Sequence, residues 1–291
     1  MNIVSIYSRF PTNEDCIAHL ERVRWGALPQ CPYCESRNAR PLPNTHRYQC
    51  RKCKTSFSVT VRTIFHRTHL PLQKWFLAIA IILNAKKGLS ARQLGRDLQI
   101  NKDTAWRMAM KIREAMSERW QRNLLTGIVE ADETYIGGKP RKGSGGHSKR
   151  GRGTKKTPVV GMVERDHGRV RAEPFHLKKV NKKNLNDLVR DNVDIKNAVL
   201  VTDEYKGYIG IKKFMPHQVV DHTVWYVDGD KHTNTMESFW ALLKRGIVGQ
   251  YHKVSVRYLY RYIDEFSYRW NNRETENLFS VTLIKAVAGT A

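Results

Sequence analysis

The chain has 291 residues, 41% of them hydrophobic, with 51 Lys and Arg against 27 Asp and Glu for a formal charge of +24. That length and composition exclude a disordered chain and allow two or three modest domains. The charge points to a polyanionic partner, nucleic acid before a ribosomal or membrane surface, because neutralising phosphates releases condensed counterions. Charge alone says nothing of the reaction.

Residues 1–24 hold no sustained apolar run, and the longest such stretch, Trp75–Leu83, is far below the ~20 residues a bilayer span needs. A cytoplasmic protein is expected. Composition divides the chain into regions 1–65, 66–124 and 125–291.

The first region holds Cys31-Pro-Tyr-Cys34 and, 15 residues on, Cys50-Arg-Lys-Cys53. Two Cys-x-x-Cys turns at this spacing supply four thiolates to one tetrahedral Zn2+, and four thiolates leave no open position for catalysis. A redox pair would not need the second turn. A short hairpin is expected over Ala39–Gln49 and a strand over Thr55–Val61. Cys16, His19 and His46 lie outside the cluster and read as ordinary packing residues.

In the second region Leu72, Trp75, Phe76, Ile79, Ile82 and Leu83 fall at helical spacing. Ser90-Ala-Arg-Gln93 has a capping-box pattern for a short helix through Leu98, and Asn101 can cap a longer one reaching about Trp120. Two helices joined by such a turn resemble a helix-turn-helix, which would present Lys102, Thr104 and Arg107 to DNA; a plain helical hairpin is the alternative.

The third region opens with a strand over Gly127–Tyr135, whose alternation puts Glu130 and Asp132 on one face and Glu133 on the other. The tract Gly137–Lys156, with eight Lys or Arg and seven Gly, has no apolar face. It reads as a loop that orders on phosphate, through residues such as Lys139, Arg141 and Lys142. Paired strands are expected over Thr157–Val163 and Arg169–Phe175, turning at Asp166-His-Gly168, then a helix over Asn184–Asp191. The apolar run Ala198–Val201 reads as a strand buried on both faces, ending at Asp203 on the sheet's rim. Glu237 falls on a helix with Lys244 two turns later, and Arg245 beside it.

Three distant acids converging would suit phosphodiester cleavage and strand transfer, in which two Mg2+ or Mn2+ ions about 3.5–4 Å apart activate the nucleophile and stabilise the leaving oxygen. Asp203 suits a bridging place between flanking Asp132 and Glu237, with Lys244 holding a phosphate. Glu130, Glu133, Glu204, Asp221, Asp228 and Asp230 remain competitors for metal duty.

At these residues the sequence resembles the ISXO-like family of insertion-sequence transposases, a DDE group with an N-terminal zinc ribbon. The matching motifs are Val129-Glu-Ala-Asp132-Glu-Thr-Tyr-Ile-Gly-Gly138, Thr202-Asp203-Glu-Tyr205 and His232-Thr-Asn-Thr-Met-Glu237-Ser-Phe-Trp-Ala-Leu-Leu-Lys-Arg-Gly246, with Tyr251-His-Lys-Val-Ser255 leading into a closing helix over Arg257–Arg273. The resemblance implies a ribonuclease H-like α/β catalytic domain, a mixed sheet with helices on both faces. It also implies Asp132, Asp203 and Glu237 as metal ligands and Lys244 as the lysine seven residues after the last acid. Some members of the family carry Asn as the third acid's replacement. Asn234 therefore competes with Glu237, which is favoured because a carboxylate binds Mg2+ more strongly than an amide.

The expected activity is transposition: binding the element's terminal inverted repeats in double-stranded DNA, cleaving with water, and attacking target DNA with the freed 3′-hydroxyl, as a homo-oligomer. A DNA-binding regulator with an inactive catalytic domain, and a nuclease without strand transfer, are the alternatives.

Overall fold

The computed structural model describes residues 3–118, 123–138, 154–175, 179–220 and 232–288. The chain forms two compact units, Met1–Ser117 with Glu274–Ala291, and Glu118–Arg273. The expected divisions at 65 and 124 separate ribbon from helices and place the last helix in the catalytic region. By contact the grouping differs: ribbon and helices share the first unit, and the final helix joins them. The cause is apolar packing that composition does not reveal, described next.

In the first unit, α1 (Ile3–Arg9), α2 (Asn13–Trp25), α3 (Leu72–Asn84), α4 (Ala91–Leu98) and α5 (Lys102–Ala115) are helices. α2 starts at a reciprocal capping box between Thr12 and Asp15. Phe10 meets Phe76 of α3 edge-on at 4.9 Å, and Phe76 meets Phe279 at 5.7 Å. Phe279 belongs to α9 (Leu278–Val287), whose buried Leu283 and Ala286 add to the same core. Burying Phe279 contributes roughly 1.5–3 kcal/mol toward holding this ten-residue helix in the unit.

The ribbon is a three-stranded antiparallel sheet, β1 (Ala39–Pro41), β2 (Tyr48–Cys50) and β3 (Ser56–Phe57), in that order. Trp25, at the end of α2, packs edge-on against Tyr48 and Phe57 at 5.5 and 5.7 Å. The strand expected over Thr55–Val61 is shorter because the chain turns after Phe57, Val61 N bonding back to Ser58 O.

The second unit is built on a five-stranded mixed sheet of order β6-β5-β4-β7-β8. β4 (Leu125–Ile136) is central, antiparallel to β5 (Thr157–Glu164) and parallel to β7 (Val193–Thr202). β6 (Val170–Pro174) pairs antiparallel with β5, and β8 (His217–Val219) parallel with β7. The turn between β5 and β6 uses Gly168 at φ +62°. This is the ribonuclease H-like arrangement, with helices on both faces.

On one face α6 (Lys182–Asn192) buries Leu185, Leu188 and Val189 against Val129, Ala131, Val160, Met162 and Leu200. On the other, α7 (Asn234–Gly246) and α8 (Leu259–Asn271) bury Met236, Phe239, Trp240, Leu243, Ile263 and Phe266 against Val159, Val163 and Val170. α7 lies so close at Gly161 that a Cβ there would come within 2.5 Å of Met236 and 2.6 Å of Trp240. Gly161 pairs in register with Asp132, so its missing side chain lets α7 press onto the strand that carries the first expected acid. Gly161→Val should therefore destabilise the protein by about 1–3 kcal/mol or more through overpacking; a denaturant midpoint unchanged from wild type would contradict this close approach.

Candidate metal centres and nucleic-acid interface

The four ribbon cysteines meet as expected. Their Sγ atoms lie within 4.8 Å of one another, Cys31 to Cys53 at 3.7 Å and Cys34 to Cys50 at 3.5 Å. Each pair ends the same way: the residue after the second cysteine, Glu35 or Lys54, takes φ near +60°, and a backbone bond folds the turn closed, Cys31 N to Ser36 O and Cys50 N to Thr55 O. Two like turns facing each other bring together an all-thiolate donor set of the kind that suits Zn2+. Cys16 is fully buried away from them, and its thiol is pushed up to about 12 by burial, then by Asp15 and Glu14. It is a packing residue.

α4 and α5 form the expected pair of helices. Ser90 Oγ accepts from Gln93 N at 3.2 Å, and Asn101 Oδ1 accepts from Asp103 N at 2.8 Å. Gln93 does not return the capping-box bond to Ser90; its side chain pairs with Arg96 and Asp97. Between the helices Gln99 takes φ +51°. Gly95 and the buried Ala105 allow the helices to approach, a Cβ on Gly95 reaching 3.0 Å from Ile100 O. Lys102 and Arg107 are exposed and Thr104 is half-buried. The helix of Asn101 ends at Ala115, short of Trp120, which lies outside the described residues, as do Lys139, Arg141 and Lys142.

The acidic site forms where two parallel strands end. Pairing between β4 and β7 stops at Ala131 and Thr202, while β4 runs on beside β5 as far as Ile136. Beyond that point, among the described residues, the β7 side of β4 has no strand neighbour, and Asp203, the residue after β7, stands at the gap. Asp132, Glu133 and Asp203 each bring a carboxylate oxygen within 4.8 Å of the others. Glu133 N donates to Asp132 Oδ1 at 2.7 Å, and Tyr205 N donates to Asp203 Oδ1 at 3.1 Å, turning the chain away. Behind Asp203, Thr202 Oγ1 donates to the Asp203 carbonyl at 2.8 Å and shares a 2.9 Å hydrogen bond with His217 Nε2 of β8. Burial, then Lys212, lowers His217 to about 4.

Sequence alternation sets Glu133 on the opposite face from Asp132, and it does lie on the α6 side, beside the buried Tyr208. Burial first, and then the Glu133 carboxylate, hold that phenol well above its ordinary value. Glu133 nevertheless joins the acidic group because the end of β7 opens the strand's edge to both faces. Period two alone could not reveal this; an apolar strand ending at Asp203 was the signal available.

Glu237 stands in the first turn of α7, exposed, and its Oε1 accepts from Thr233 Oγ1 at 3.3 Å. It lies outside the 4.8 Å group but close enough to act on Asp132. The Asp132 carboxyl is pushed up to about 6, mainly by burial, with Asp203 and then Glu237 adding repulsion. Lys244, two turns on, is exposed like Glu237, and Arg245 is exposed beside it with Nε on Ala241 O at 3.0 Å. Asn234 opens the helix and is also exposed. Among the competing acids, Glu204 is exposed outside the group and Asp221, Asp228 and Asp230 lie outside the described residues. Glu130 is engaged elsewhere: fully buried, it pairs with Arg165 at 2.6 Å.

The raised Asp132 value fixes a pH dependence. A carboxyl whose folded pKa of about 6 lies above its ordinary 3.8 contributes stability below about pH 4 that is lost as pH rises through 6. The shift corresponds to roughly 3 kcal/mol. In zinc-loaded protein free of Mg2+ and Mn2+, Asp132→Asn should remove this slope, so the melting-temperature gap between variant and wild type should widen from pH 4.5 to 7. A gap constant across that range would contradict the burial and crowding of this carboxyl.

Residues 124–271 match the ISXO2-like transposase domain, and residues 11–56 match the transposase zinc-ribbon domain. The chain is 29% identical over 242 residues to the uncharacterized protein in transposable element ISH50 of Halobacterium salinarum, covering 78% of this chain and 80% of that protein. Among solved structures it is similar to the Mos1 transposase paired-end complex with left transposon end, at 13% identity over 72% of this chain and 78% of that one (TM-score 0.29). It is also similar to the Mos1 Strand Transfer Complex, at 14% identity over 67% and 75% (TM-score 0.23). The first match spans half of the chain, and with the ribbon ahead of it the chain belongs to the ISXO2-like family of DDE transposases.

Proposed function

We propose that this transposase cuts the ends of its element and joins them to target DNA, using Asp132, Asp203 and Glu237 as its catalytic acids. The observation that carries the reading is the carboxylate cluster at the shared edge of β4 and β7, with Asp132 and Asp203 within 4.8 Å and Glu237 acting on Asp132 from α7. Acids held this close repel one another unless a cation intervenes. An all-oxygen donor set of this charge fits Mg2+ or Mn2+. Two such ions, when bound, would activate the attacking oxygen, stabilise the departing 3′-oxygen and screen the charge on the phosphate.

The chain's own residues supply the rest. Lys244, exposed two turns beyond Glu237, holds a DNA phosphate beside the acids, with Arg245 next to it. Lys102, Thr104 and Arg107 at the start of α5 read the element's terminal inverted repeats, and Lys139, Arg141 and Lys142 contact phosphates. The ribbon, closed by Zn2+ on Cys31, Cys34, Cys50 and Cys53, supports that recognition. Both chemical steps are in-line displacements at phosphorus by an oxygen nucleophile, water and then the freed 3′-hydroxyl. No covalent enzyme intermediate is involved. Two element ends must be handled together, which calls for a homo-oligomer on DNA. No described helix is long and apolar enough to cross a membrane, and DNA as substrate places the work in the cytoplasm.

Asp203→Asn should lower end cleavage by more than about a hundredfold, since loss of an outer-shell partner alone costs about 10–100-fold. End binding should stay near wild type. Glu237→Gln should behave alike and Glu133→Gln should lose less; full cleavage by either Asp203→Asn or Glu237→Gln would remove that acid from the mechanism. Supplying pre-cleaved ends with target DNA should yield joined product in a Mg2+-dependent way, whereas an enzyme that only cuts would give none.

Replacing Cys31 and Cys34 with Ser should abolish zinc content and expose the ribbon to protease, because zinc binding and folding of such a module are coupled. Binding of terminal repeats should fall with it. Repeat binding that survives would assign the ribbon another task.

A further inference from the structure

The helix that carries Glu237 starts without a side-chain cap of its own. Its N-cap residue, Thr233, makes no capping bond to a first-turn amide, its hydroxyl being turned to Glu237 instead. Amides of a first helical turn need partners from elsewhere. One comes from the sheet: Met236 N donates to Glu130 Oε2 at 2.9 Å.

Glu130 lies on β4 two residues before Asp132 and is fully buried. Its Oε1 accepts from Arg165 Nε at 2.6 Å, and His232 Nδ1 lies 3.3 Å from the same oxygen. Arg165 also reaches forward, Nη2 donating to the His232 carbonyl at 2.5 Å, just before α7. Its backbone amide is tied to Ile128 O of β4 at 3.0 Å. One buried ion pair thus fastens the central strand, the turn after β5, and both the approach to α7 and its first turn.

The geometry assigns Glu130 and Arg165 as a positioning pair for the third acid. They stand in for the missing cap and fix the start of α7, and with it Glu237, against the strand that bears Asp132. This rests on the reading of Glu237 as a catalytic acid. Glu130 is fully buried and stands outside the carboxylate group of Asp132, Glu133 and Asp203, so it acts through α7 and not on metal or DNA. Bulk stability does not explain the pair, because a buried ion pair is often replaced by apolar residues of similar volume at no loss. Placement does: ligand geometry must hold within about half an ångström, and residues behind the ligands supply that precision.

The test uses full-length Glu130→Met/Arg165→Met, which removes both charges and leaves neither stranded, beside Glu130→Gln and wild type. In zinc-loaded protein free of Mg2+ and Mn2+ the double variant should melt near wild type, while hydrogen exchange at the Met236 and Glu237 amides speeds up by tenfold or more. Mn2+, titrated calorimetrically, should bind about tenfold more weakly, and ferrous-iron backbone scission should fade near 234–238 while persisting near 132 and 203. Glu130→Gln, which still offers one oxygen to Met236, should fall between the two. Unchanged exchange in the double variant would overturn the clamp. Faster exchange with wild-type Mn2+ affinity and scission would overturn its positioning role. If wild type and Asp203→Asn bind Mn2+ equally, the metal reading of the acidic site fails instead, and the exchange result still judges the clamp.

Discussion

β7 ends before its neighbour does, and the acidic site depends on that difference in length. In a parallel pair the carboxyl ends of both strands face the same edge, so residues just past the last paired position are brought together by backbone hydrogen bonding. Pairing stops at Ala131 and Thr202, and the next residue on each strand is an aspartate. β4 cannot follow β7 into a turn, because its other edge remains zipped to β5 through Ile136. The result is a notch with one rigid wall, where Asp132 and Asp203 are placed by register and not by side-chain choice. The chain leaves β4 toward β5 on one side and β7 toward β8 on the other, which makes this the crevice where ligands of open α/β sheets bind.

The contribution of α7 follows different physics. Nothing in a hydrogen-bonded ladder holds a helix at a fixed height over a sheet; side-chain volume does. Gly161, in register with Asp132, removes the side chain that would separate the layers, and Met236 and Trp240 fill the space. Trp240 places its indole beside Asp132, where it opposes the upward push that burial exerts on the carboxyl. Packing sets the helix's distance from the sheet. The Glu130–Arg165 pair fixes where the helix begins.

Much of this was legible in the sequence, for identifiable reasons. Strand–strand–strand–helix–strand order, the Gly168 turn, the caps at Ser90 and Asn101 and the four-cysteine cluster each depend on short-range signals, and the structure contains all of them. The membership of Glu133 in the acidic group was not legible, because it depends on where β7, far along the chain, stops pairing at Thr202. Nor was the task of Glu130, which as a carboxylate two residues from Asp132 reads as a rival ligand until Arg165 and Met236 N are seen to occupy it. The return of α9 to the first unit was equally hidden, since an apolar helix names no partner and Phe76 supplied one.

The raised Asp132 value shows what the arrangement costs and why the rest of the unit is built as it is. Bringing a buried carboxyl beside Asp203 and Glu237 disfavours its charged form, so without cations the edge is a strained feature of the fold. A strand end with no paired neighbour would relieve that repulsion by fraying. β4 cannot, because β5 pairs with it beyond the acids and the apolar faces of α6 and α7 cover both sides of the sheet. The helix could relieve it by withdrawing Glu237, and there the opposing force is a buried ion pair that holds its first turn in place. Repulsion that cannot relax stays available to favour a divalent cation, because each ion that enters removes an unfavourable interaction and adds a favourable one. By this argument the layers around the notch serve metal affinity as much as they serve folding.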